Sequence, residues 1–131
     1  MDVEDILRWF HLIAMSTWIG GMIVVGALIP ALRKAGADRT VITAAARRFG
    51  VVAWVGLGVA MATGIGQLIV IEREVAETTA FAVKMLLVGL AAALAYVHQL
   101  TASRSRPAVR GALEGILLLN GLAIVAAAIA L

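Results

Sequence analysis

Apolar positions along the chain gather into four long runs separated by short polar segments. The runs cover about residues 6–32, 49–71, 80–100 and 111–131. A helix needs about 20 predominantly apolar residues to cross the hydrocarbon of a bilayer, so each run predicts one transmembrane helix. The connections, 33–48, 72–79 and 101–110, are short and polar. The pattern predicts an all-α fold: an integral-membrane four-helix bundle, with residues 1–131 as a single four-span domain.

Composition agrees. The chain has 131 residues, 63% of them apolar, with a mean hydropathy of +1.02. Soluble domains are nearer about 45–50% apolar. So short a chain has too little polar surface to cover its apolar surface, and lipid must do it. There are no cysteines, which excludes disulfides, thiolate metal sites and a cysteine nucleophile.

Charge sets the orientation. Arg33, Lys34, Arg39, Arg47, Arg48, Arg104, Arg106 and Arg110, eight of the eleven basic residues, lie in the first and third connections or at the start of the last span. The opposite side carries Asp2, Glu4, Asp5, Glu72, Glu74 and Glu77 beside Arg8, Arg73 and Lys84. Basic loops stay cytoplasmic, so both termini are expected outside, in a multi-pass protein of a bacterial inner membrane. The same rule accounts for the pI near 10.2 without nucleic acid, for which no recognition module is present. The acidic Met1–Asp5 stretch is unlike the basic start of a cleavable signal peptide.

Within the spans, glycines mark expected close approaches between helices: Gly20, Gly21 and Gly26, then Gly56, Gly58, Gly64 and Gly66, then Gly89. Pro30 is expected to end or kink the first span.

Four ionisable residues fall inside spans: His11, Lys84, His98 and Glu114. Such residues are costly in lipid and are read first as functional. At about 1.5 Å rise per residue, His11 and Lys84 share a layer about 6–7 Å inside the acidic ends of their spans, with Gln67 beside them. His98 lies about 21 Å deeper than Lys84, too far to share a metal ion with His11 in one chain. His98 and Glu114 read as an interfacial ion pair. Lys84 can also simply snorkel to the interface. Met15 follows His11 by one turn on the same helical face, and Met85 falls at nearly the same depth. Thioethers and imidazole suit copper(I), so His11, Met15 and Met85 form a candidate metal site, with Met61 and Met22 leading further in. Methionine is also an ordinary filler of apolar helices.

Four local patterns occur together: Arg8-Trp9-Phe10-His11 followed by Trp18-Ile19-Gly20-Gly21; Arg47-Arg48-Phe49; Thr63-Gly64; and Phe81-Ala82-Val83-Lys84. Over residues 8–100 this resembles the membrane domain of the copper resistance protein D (CopD-like) family. The resemblance implies copper binding and copper transfer across the membrane, with a periplasmic copper carrier as a partner. Members of that family are longer, and four helices alone make a poor conduit, which points to a homo-oligomer. The chain also resembles the haem-containing membrane protoporphyrinogen oxidase (HemJ-type) family. There a histidine precedes a tryptophan in the first span, and the third span starts with lysine and ends with tyrosine–histidine. Here these are His11, Lys84 and Tyr96-Val97-His98, with Val97 intervening. That resemblance implies a b-type haem held by His11, with Lys84 as second ligand or propionate partner; lysine ligates only when deprotonated. A third reading is a structural subunit that binds no cofactor.

Overall fold

The computed structural model describes residues 1–70, 73–102, 104 and 106–131, the side chain of Arg73 excepted. The elements are α1 (Val3–Lys34), α2 (Arg39–Val70), a single turn α3 (Arg73–Ala76), α4 (Thr79–Thr101) and α5 (Pro107–Ile129). No strand occurs among the described residues. The protein is all-α, and α1, α2, α4 and α5 are each long and apolar enough to cross a membrane.

Local chemistry explains the ends. Asp2 caps α1 in a reciprocal box: its carboxylate accepts from the Asp5 amide at 3.1 Å, and Asp5 accepts from the Asp2 amide at 3.3 Å. Glu4 and Asp5 in the first turn, with Arg33 and Lys34 in the last, complement the helix dipole. Gly36, at φ +80°, ends α1 in a Schellman arrangement, with Ala37 N–H donating to Leu32 O and Gly36 N–H to Arg33 O. Thr78 caps α4 through its hydroxyl, and Pro107 opens α5, where the missing N–H costs nothing.

One expectation needs correction, as does half of another, that Pro30 would end or kink the first span. Pro30 does not end α1, which runs one further turn to Lys34; the ring removes one backbone bond close to the helix end, where the loss is smallest. The 33–48 segment is not a loop either. Only 35–38 is a turn, and Arg39–Arg48 is already α2. The charges there ride on a regular helix with Ile42, Ala45 and Phe49 on its more buried side.

The chain divides into two compact units, 1–70 and 71–131. In the first, α1 and α2 run antiparallel. A side chain added at Gly21 would run into the Phe49 ring. At Gly56 it would meet Ala14 O and Trp18, at Gly64 His11, and at Gly66 Leu7. As one residue number rises the other falls. Gly20, Gly26 and Gly58 meet nothing; they do not mark this contact. Ala14, Trp18, Ile19, Leu57 and Ala60 are buried. In the second unit α5 returns along α4. Leu87 pairs with Asn120 and His98 with Glu114, while Ala91, Leu117, Asn120 and Ile124 are buried. Elsewhere large apolar side chains face outward, Leu86 at 75% and Leu119 at 68% exposure, a distribution that suits lipid rather than water.

Candidate functional site

His11 sits on the α1 stripe that faces α2, together with Ala14, Met15 and Trp18. Small residues make room for it. Ala14, Gly56 and Ala60 let the two backbones approach, and the imidazole lies over Gly64, where an added Cβ would stand 3.4 Å from His11 Cε1.

The ring is oriented by hydrogen bonds. His11 Nδ1 lies 2.8 Å from the Ala60 carbonyl oxygen and 3.2 Å from Thr63 Oγ1. A carbonyl oxygen only accepts, so geometry assigns the proton to Nδ1. Thr63 gives its own hydroxyl proton to Val59 O at 2.7 Å, which leaves an Oγ1 lone pair to share the Nδ1–H. In the neutral ring the remaining lone pair is on Nε2. Histidines that ligate metals are held in this way, one ring nitrogen donating to a carbonyl and the other carrying the ligand. Thr63-Gly64 thus orients the ring and clears space for it.

Met15 follows His11 by one turn and is half-buried on the same face; Met22 continues that stripe. Met61 departs from it: it is 41% exposed, while its neighbours Ala60, Thr63 and Gly64 turn towards α1. The thioether series is carried by α1. Gln67, one turn beyond Thr63, is half-buried. Among the described residues no three His, Asp or Glu side chains gather in a metal-holding group. The His11 imidazole with thioether sulfur remains the donor set to weigh. These are donor types that could hold a soft ion such as copper(I), and an imidazole nitrogen is also a donor that could hold haem iron.

The second unit holds the remaining candidates. Near the start of α4, Lys84 is half-buried and Met85 is 41% exposed. At its other end His98 Nε2 stands 3.7 Å from Glu114 Oε1. That is ion-pair range but too long for a hydrogen bond. His98 Nδ1 is buried and has no hydrogen-bond partner among the described residues. Sequence reasoning passed over Asn120. Its amide is buried and donates to Leu87 O at 2.9 Å, joining α5 to α4. The available signal was an uncharged polar residue amid the apolar fourth run.

Comparison with protein-family models, with curated proteins and with solved structures finds no match to the chain.

Proposed function

We propose that this multi-pass protein lies in a bacterial inner membrane, with its acidic end extracytoplasmic. It binds copper(I) at that end through His11 Nε2 and Met15 and aids copper transfer across the membrane. A periplasmic copper carrier is the partner, and the working form is a homo-oligomer. One observation carries the reading: the Nδ1–H of His11 is committed to the Ala60 carbonyl, 2.8 Å away, which directs the ligand lone pair to Nε2. Met15, one turn along, supplies a soft donor on the same face. The resemblance of the His11, Trp18-Ile19-Gly20-Gly21 and Thr63-Gly64 segments to the CopD-like family supports the same reading.

A second reading rests on the same atom. A histidine fixed at Nδ1 is also suited to b-type haem, as the HemJ-type resemblance implies. The full chain, purified in detergent from copper-supplemented, haem-replete cells, separates the two. Competition with a chromophoric copper(I) chelator is expected to show one tight site, weakened in both His11→Ala and Met15→Leu. A Soret band that shifts on dithionite reduction and is lost in His11→Ala would replace copper by haem. A colourless protein whose copper(I) binding is unchanged in His11→Ala would defeat both readings and leave a structural subunit.

A further inference from the structure

The lengths of α1 and α2 raise a question that the copper site does not answer. Each has 32 residues, about 48 Å at 1.5 Å per residue. The hydrocarbon core is about 30 Å thick. The excess must emerge at one end. The register between the helices says which. Counting about 20 residues from Ile6, where the apolar run of α1 begins, places the far boundary near Val25. The pairing of Gly21 with Phe49 puts Arg47 and Arg48 of α2 at that level. The excess is therefore at the basic end, and the two arginines sit where lipid headgroups begin.

An open groove of about 320 Å³ starts at this point on the face between α1 and α2. Arg48 closes its basic end, and Val51, Val55 and Val59 of α2 with Ile13 and Thr17 of α1 form its walls. From Arg48 to Val59 the groove extends about 16 Å along the helix, close to half of the roughly 30 Å hydrocarbon thickness, or one leaflet. Its valine walls are open, with Val55 60% exposed. Arg47 and Arg39 line a second open concavity with Thr40 and Thr43. Residues 33–48 carry five basic side chains against the single Asp38.

We propose that this groove is a binding site for one anionic phospholipid of the leaflet at the basic end. An acyl chain lies along the valine wall, and the phosphate pairs with the Arg48 guanidinium. Charge complementarity and the leaflet-length match argue for this occupant. A zwitterionic lipid gains less at a site with an excess of cations, and a second protein chain would have to accommodate Arg48 at the edge of the hydrocarbon. Guanidinium is the group best matched to phosphate oxygens.

Native mass spectrometry of the full chain in detergent tests the site. The protein is titrated with phosphatidylglycerol or phosphatidylcholine, and circular dichroism checks the fold of each variant. One phosphatidylglycerol per chain is expected, in preference to phosphatidylcholine. Arg48→Gln should weaken phosphatidylglycerol binding about fivefold, the effect of one cation near an anionic headgroup. Arg33→Gln, an equal charge change outside the groove, should not. Val55→Trp, which fills the groove without touching charge, should displace the lipid. Equal losses in Arg48→Gln and Arg33→Gln would mean diffuse attraction and overturn the site. Unaltered binding in Val55→Trp would do the same. So would displacement of the phospholipid by oleate at equal concentration, or a lipid-free dimer dissociated by Val55→Trp.

Discussion

Replacing Thr63 with valine tests the orienting role of the hydroxyl with little disturbance to packing. Valine nearly keeps the volume but deletes Oγ1, which lies 3.2 Å from His11 Nδ1. The Val59 carbonyl loses the hydroxyl donor at 2.7 Å but keeps its helical amide, so no buried acceptor is orphaned. What changes is the second acceptor for the Nδ1–H; the Ala60 carbonyl at 2.8 Å remains. Loss of a partner that orients a metal-ligating histidine typically costs about 10–100-fold in affinity. With the nearer acceptor retained, the lower end applies: about tenfold, equivalent to about 1.4 kcal/mol. Competition against a chromophoric copper(I) chelator measures it, and a thermal melt followed by circular dichroism shows whether the fold is kept. Thr63→Ser retains the hydroxyl and should bind like the parent. If Thr63→Val binds copper(I) as tightly as the parent while His11→Ala does not, the hydroxyl has no part in holding the ring, and the orientation argument reduces to the Ala60 carbonyl alone.

Gly64 supplies a graded test of the same contact. An alanine Cβ would meet His11 Cε1 at 3.4 Å, an ordinary contact, so Gly64→Ala should bind copper(I) within about twofold of the parent, whereas Gly64→Leu should displace the ring and lose at least about tenfold; equal binding by both would refute the close approach. Asn120→Ala removes the 2.9 Å bond to Leu87 O and should lower the stability of the second helical pair by about 0.6–1.7 kcal/mol, the range for such bonds within a membrane. Unfolding in mixed micelles reads this, and an unchanged midpoint would show the bond to be idle. Gly21→Ala should destabilise the first pair by about 1–3 kcal/mol through overlap with the Phe49 ring. Phe49→Leu should recover part of that loss in the double variant; strictly additive losses would place the contact elsewhere.

Much of the fold was legible because a bilayer makes the hydrophobic pattern unambiguous. Lipid requires every backbone group in a span to be bonded internally, so an apolar run of this length leaves only a helix. The misreading of Arg39–Arg48 has a related cause. Hydropathy reports where the bilayer ends, whereas α2 continues past it, sustained by helix-forming alanines and by Ile42 and Phe49 on its more buried side. Glycine was half-informative for a similar reason. Composition shows that a helix can be approached closely, but only register shows which glycines are, and Gly21, Gly56, Gly64 and Gly66 fell on the contact while Gly20, Gly26 and Gly58 did not. His11 stood out as an ionisable group in a span. Its orienting partner did not, because the Ala60 carbonyl is a backbone atom 49 residues away, and no side-chain pattern announces a backbone acceptor.

The difference in length between the helical pairs carries a consequence for depth. At 23 residues each, α4 and α5 are about 35 Å long and suit a hydrocarbon core of about 30 Å with modest tilt. Tilting α1 and α2, at about 48 Å, into the same thickness would take more than the 0–40° seen for such helices. Their basic ends must therefore stand in the headgroup layer or beyond it. The chain has no cysteine, so single introduced cysteines report depth directly. Ala44 and Val55 are both exposed on α2, Ala44 on the basic side of Arg48 and Val55 on the other. With the protein in sealed vesicles, Ala44→Cys should react with a polar maleimide that reaches the cytoplasmic side, and Val55→Cys, facing hydrocarbon, should stay unlabelled. Reaction of Ala44→Cys from the extracytoplasmic side would invert the orientation drawn from the basic loops. Protection of both positions would bring Arg47 and Arg48 into the middle of the bilayer and remove the boundary on which the phospholipid groove depends.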